Sequence, residues 1–297
     1  MNKKSSLYLL IVLIAKIVIP SIASVISQRN NINDVLPFQT SERISETSRF
    51  KNKYKRNKGN KARSRNVVVP PFVSVETPNH NYPIGLLLTG NASIEDSCTA
   101  SVINTSNGNI GLTAAHCLLD DEGNPWDLSF LSFSPGYDNQ SNGTLGAIPV
   151  VATEMPPFLA NRHKYDYALV RFEFNHGGAR LQDYTGALGW RFDIGNGEPT
   201  IMFGYPESGN IEDCANDGKH LCRWQGTTNK SEIVFGINNL IPGEGSSGGP
   251  FISQYNAETN LGYVYALMSG YFEIANISIA SIWDKLVFLN LLSNITP

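Results

Sequence analysis

Histidine and cysteine are both scarce in this chain, with five and four among 297 residues, and the histidines fall at no spacing that suits a metal site. No metal centre and no cofactor is therefore expected. Long clean apolar runs are missing too. The most apolar stretch, Leu7 to Ile26, is broken by Lys16 and Pro20 and falls short of the roughly 20 residues that a membrane span needs. Stable membrane insertion is thus not expected, and an uncleaved anchor over Leu7 to Ile26 is the weaker of two readings. Basic residues are also few over most of the chain. After residue 65 there are nine Lys and Arg against 23 Asp and Glu, a formal charge of −14, which argues against nucleic acid or another polyanion as partner.

The first 65 residues have the opposite balance, 14 Lys and Arg against three Asp and Glu. Met1 to Ser6 is a short basic start, Leu7 to Ala15 is apolar, and Ser21-Ile22-Ala23-Ser24 offers small residues for a signal peptidase. Residues 1–24 are read as a secretory signal peptide, so the protein is expected outside the cell. Residues 25–65 are basic, polar and poor in core-forming side chains, too poor to fold alone. They are read as a disordered pro-segment, with a solvated linker as the plain alternative. Lys55-Arg56 and Arg63-Ser64-Arg65 are candidate sites for a processing protease.

In a secreted chain the four cysteines, Cys98, Cys117, Cys214 and Cys222, are best paired as disulfides, with three possible connectivities. A zinc site from Cys214, His220 and Cys222 is the lesser alternative and lacks an obvious fourth ligand. Seven Asn-x-Ser/Thr sequons stand at Asn91, Asn104, Asn139, Asn142, Asn229, Asn276 and Asn294. Several are expected to carry glycan, mostly on surface loops.

Beyond the pro-segment, short apolar and β-branched runs recur about every ten residues, from Ile84–Leu88 to Ala168–Phe172 and again from Thr200–Gly204 to Tyr263–Gly270. Gly, Pro, Asn and Asp punctuate the gaps. The rhythm predicts antiparallel sheet in a barrel or sandwich. Apolar residues at helical spacing predict a closing helix over Ile282–Leu292.

Gly245-Ser246-Ser247-Gly248-Gly249-Pro250 puts a serine among small residues in a tight turn. Serine is a poor nucleophile unless a histidine takes its proton and a carboxylate orients that histidine. His116, in Thr113-Ala114-Ala115-His116-Cys117, and Asp166, in Tyr165-Asp166-Tyr167-Ala168-Leu169-Val170, supply those types in the order His, Asp, Ser. Asp120, Asp121 and Asp138 also stand as candidates for the carboxylate, but no apolar strand follows them. With these motifs the chain resembles the trypsin/chymotrypsin-like serine proteases over roughly residues 75–297, closest to the glutamyl-endopeptidase-like (V8-like) branch.

That resemblance implies an all-β fold of two antiparallel six-stranded barrels with the active site between them and a C-terminal α-helix. Residues 66–180 would form the first barrel, with His116 and Asp166, and 181–297 the second, with Ser247. It implies a secreted monomeric serine endopeptidase acting on protein or peptide substrates through an acyl-enzyme, with the amides of Gly245 and Ser247 as oxyanion hole. It also implies a Cys98–Cys117 pair beside the histidine, while Cys214 with Cys222 would close a short loop. Two departures stand out. Ser246 replaces the aspartate that trypsin-type enzymes pair with a new amino terminus on activation. Ile241 stands where they hold the aspartate that selects Lys or Arg, and Met268 near where glutamate-specific relatives hold a histidine. An apolar or small side chain at the scissile position is the remaining expectation, with Ser269 and Gly270 pairing with substrate backbone. The alternative from another class is a catalytically inactive homologue that serves as a secreted binding protein; esterase activity through the same triad would differ only in substrate.

Overall fold

The computed structural model describes residues 26–29 and 67–297; the stretch read as a signal peptide and most of the one read as a pro-segment, including both basic cleavage candidates, lie outside the described residues. The strands in chain order are β1 (Ile26–Arg29), β2 (Val68–Val69), β3 (Ile84–Gly90), β4 (Glu95–Val102), β5 (Ile110–Thr113), β6 (Ser132–Pro135), β7 (Ile148–Met155) and β8 (Ala168–Phe172). They continue as β9 (Gly189–Arg191), β10 (Glu198–Gly204), β11 (Cys222–Lys230), β12 (Val234–Asn238), β13 (Pro250–Asn256), β14 (Leu261–Phe272) and β15 (Ile277–Ser281).

Strands β3 to β8 close into one antiparallel barrel in the order β7-β6-β3-β4-β5-β8, with β8 returning to β7. Strands β10 to β15 close a second in the order β13-β10-β11-β12-β15-β14, with β14 returning to β13. The expected double-barrel architecture is therefore present. Closure pairs most of each barrel's edge, which limits pairing with other chains, and leaves the 152–155 stretch of β7 and the 263–264 stretch of β14 to take further strands. Outside the barrels, β9 runs parallel to β14 and β2 pairs with β9. Within the segment expected to lack structure, β1 pairs antiparallel with residues 152–155 of β7. A strand added to a formed edge needs no core of its own, so the poverty of apolar residues does not forbid it.

The runs read from the sequence become strands because both faces of a barrel wall are largely covered. β5 is buried at every position, and β8 at all but Arg171. Phe133 and Phe172 stack at 4.6 Å between ring centroids inside the first barrel. The C-terminal helix spans Lys285–Ile295, three residues later than the periodicity predicts. Its start is fixed by Asp284, whose carboxylate accepts from the N–H groups of Leu286 and Val287. Trp283 falls before the helix and packs into the core. Although it follows the second barrel in sequence, the helix packs on β7 and β8 of the first. Phe288, Leu291 and Ile295 are fully buried there, each contributing about 1.5–3 kcal/mol of apolar burial. Among the described residues no helix is long and apolar enough to cross a membrane.

Candidate active site

His116 opens a short turn, His116–Leu118, just after β5, and Asp166 stands two residues before β8. Because β5 and β8 are antiparallel partners, with Thr113 opposite Ala168, the register brings the two residues together. Asp166 Oδ2 lies 2.8 Å from His116 Nδ1, and its Oδ1 accepts the His116 backbone N–H at 3.0 Å. One carboxylate thus fixes both the ring and the main chain of the histidine. The Asp166 side chain is 3 % exposed and that of His116 35 %, so the ring opens onto solvent from a buried anchor. Burial alone would lower the histidine pKa, but the charge and hydrogen bond of Asp166 outweigh it and hold the value above the ordinary 6.5. Asp120, one of the competing carboxylates, is instead engaged with Asn124 in a local turn.

The second barrel completes the support of Asp166. Ser269 Oγ donates to Asp166 Oδ2 at 2.5 Å, and the Asp166 N–H donates to Ser281 Oγ at 3.3 Å. Ser269 sits at a bulge, since Met268 pairs with Ala280 but Gly270 with Ile279. A bulge re-aims the side chain it carries. The sequence reading gave Ser269 a substrate-binding role through its backbone and missed this hydroxyl, because the bulge that turns it inward has no local signature.

The segment Gly245–Gly249 is shaped by main-chain contacts. Gly245 and Gly248 have φ of 79° and 80°, and a Cβ would stand 2.2 Å from Tyr205 O at the first and 2.3 Å from Thr99 O at the second. Only glycine meets both demands. The segment is tied to the first barrel by Thr99: its N–H donates to Ser247 O at 2.8 Å and its hydroxyl to Gly245 O at 2.9 Å. A Cβ on Gly248 would also lie 2.9 Å from the Ala114 nitrogen. Gly248, next to Ser247, therefore lies against Thr113 and Ala114, in the stretch that leads into His116, where Ala114 and Ala115 are fully buried. The N–H groups of Gly248 and Gly249 bond to Met268 O and Ser246 O. Among the described residues nothing accepts from the N–H of Gly245 or Ser247. Among those residues Ser247 Oγ has no hydrogen-bond partner either, and Cys117 Sγ lies 3.9 Å from His116 Nε2. The histidine–serine link is thus not closed here; such links commonly tighten only with substrate bound.

Both disulfides are present as Cys98–Cys117 and Cys214–Cys222, the first tying β4 to the turn that carries His116. His220 is paired with Asp217 at 2.9 Å. The expected pocket residues separate. Met268 is 1 % exposed and packs in the second-barrel core with Met202, Phe235 and Tyr265, while its main chain bonds to Gly248 and Gly249 of the serine segment. Ile241 is half-buried with both main-chain groups bound to Asn210. Gly270 faces a cleft of about 350 Å³ that also holds His116, Phe158, His163, Tyr271 and Phe272. A second cleft of about 360 Å³, on another side of His116, is lined by Asp96, Asp120, Asp121 and Trp126. Of the sequon asparagines, Asn91, Asn139, Asn142, Asn229 and Asn294 are exposed, although Asn229 is in β11 and Asn294 in the helix; Asn104 and Asn276 are half-buried.

No protein-family model and no curated protein matches the chain. Solved structures do. The protease Anisep of Arthrobacter nicotinovorans is 23 % identical with a TM-score of 0.60, over 73 % of this chain and 97 % of its own. A Glu endopeptidase is 14 % identical at 0.55, over 77 % and 98 %. An inactivated protease paralogue of the scabies mite is 14 % identical at 0.51, over 73 % and 96 %. These likenesses establish the trypsin/chymotrypsin fold, which is the fold of serine proteases.

Proposed function

We propose that this chain is a secreted serine endopeptidase in which Ser247 attacks the peptide carbonyl and His116 takes its proton and passes it to the leaving amine. Asp166 orients the imidazole and favours its charged form, and the free amides of Gly245 and Ser247 receive the oxyanion. The observation that carries the reading is the His116–Asp166 pair, its ring open to solvent on a buried carboxylate, together with a serine segment whose two relevant N–H groups have no acceptor among the described residues. The fold by itself supports either a protease or an inactive homologue, since a protease and an inactivated protease paralogue are both similar to it. A protein used only for binding has no chemical need for these side chains together.

In this reading the basic segment 25–65 is removed on maturation and several exposed sequons carry glycan. The substrate takes an apolar or small side chain at the scissile position, because Ile241 offers no charge there. The test is labelling of the secreted, trimmed protein with a fluorophosphonate probe. Labelling of the wild type, with none in His116→Ala, is expected. Folded, processed wild-type protein that takes no label would establish the binding-protein reading instead.

A further inference from the structure

We infer that Asn210 is a positioning residue for the oxyanion hole, and that the loop 205–222 around it sets the Gly245 amide by main-chain hydrogen bonds where no charge pair is available to do so. The inference rests on the proposed role of Gly245. The peptide plane that carries the Gly245 N–H is the one that carries the Glu244 carbonyl, since the two groups share one rigid amide. That carbonyl accepts from Glu207 N–H at 2.8 Å, so any flip of the plane that turned the Gly245 amide away would break this bond. Asn210 holds the start of the same stretch twice: its Oδ1 accepts from Ile241 N–H at 2.7 Å, and its own N–H donates to Ile241 O at 2.8 Å.

Packing follows the same line. A Cβ on Gly209 would stand 2.4 Å from Ile241 O, and one on Gly243 would stand 2.3 Å from Ser208 O. The two stretches therefore touch through bare backbone. The loop is closed on itself by Cys214–Cys222 and by Gly218 N–H donating to Pro206 O at 2.7 Å. Ser246, beside the nucleophile, is 1 % exposed and spends its hydroxyl on Gly243 O at 2.5 Å. It supplies no charge with which another group could anchor the segment.

The experiment compares Asn210→Ala and Asn210→Asp with the wild type in the full, matured protein. It measures kcat and KM on one peptide substrate and inhibition by the matching peptide aldehyde, whose tetrahedral adduct places an oxyanion in the hole. A misplaced donor costs the transition state and not substrate binding, so Asn210→Ala is expected to lose about 10- to 100-fold in kcat and to bind the aldehyde weaker by a similar factor. KM is expected to stay within about twofold. Asn210→Asp keeps an acceptor at the same reach and is expected to recover most of the loss. Unchanged kcat in Asn210→Ala, a loss confined to KM, or equal damage from Asp and Ala would overturn the inference. Should the alanine variant not fold, Asn210→Gln, which displaces the acceptor by one methylene, takes its place with the same expectations. A wild type with no turnover and no labelling would overturn the enzymatic reading itself, an outcome distinct from an active wild type indifferent to Asn210.

Discussion

The two halves of the candidate site are built by different physics. His116 and Asp166 come from the first barrel and are held by side-chain chemistry, with one buried carboxylate accepting from a ring nitrogen, a backbone N–H and the Ser269 hydroxyl. The Gly245–Gly249 segment comes from the second barrel and is held by main-chain bonds and left-handed glycines, with no ionised group of its own. The first half should therefore respond to charge and pH, and the second to a single added methyl group.

The largest expected effect lies where the halves meet. Ser247→Ala should lower turnover of a peptide substrate by about a million-fold while leaving the thermal midpoint close to the wild type. Retained turnover would show that the halves do not work on one reaction. Asp166→Asn breaks the first half alone and should cost about 10⁴-fold in kcat. His116 must be neutral to accept a proton, so kcat/KM of the wild type rises with pH through a value above 6.5. In the variant the main raising charge and its hydrogen bond are gone, only the weaker pull of Asp96 remains, and burial still lowers the value; the acid limb should move to lower pH, and a limb that stays put would separate Asp166 from the histidine.

Gly248→Ala is the matching test of the second half. Its Cβ would meet Thr99 O at a positive φ, and left-handed strain with overpacking should cost about 2–4 kcal/mol, read from the urea midpoint. A neutral result would mean that the barrels tolerate more separation than their contacts suggest. The smallest effect is on stability against pH. The folded state binds the His116 proton more tightly than the unfolded chain does, so the pair stabilises the protein fully below about pH 6.5, and that contribution is lost as pH rises through the raised native value. Melting temperatures of wild type and His116→Ala should converge as pH climbs through that range.

What could be read in advance divides along similar lines. The barrels were legible because their walls are largely buried on both sides, which makes strands such as Ile110–Thr113 and Ala168–Phe172 mostly apolar, with one polar residue each. The short strand β15 was not, since Ile277-Ser278-Ile279-Ala280-Ser281 is half polar and gains its order from pairing with β12 and β14. The helix was placed three residues early because periodicity counts Trp283 as a helical residue, whereas the capping carboxylate of Asp284 decides the start. His116, Asp166 and Ser247 were legible as motifs. The hydroxyl of Ser269 and the double hold of Asn210 on Ile241 were not, because each acts on a residue far along the chain through a contact that no local pattern announces. The burial of Met268 was not legible for a related reason: position relative to a motif says where the backbone runs, not which side of the strand the side chain takes.

The placement of the Lys285–Ile295 helix bears on the order in which the fold can close during synthesis. β7 and β8 leave the ribosome more than a hundred residues before the helix that covers them. Until it arrives, a patch meant for Phe288, Leu291 and Ile295 stays wet, and the first barrel waits half dressed. A nascent chain that already contains all of His116, Asp166 and Ser247 is for that interval a scaffold without its last wall.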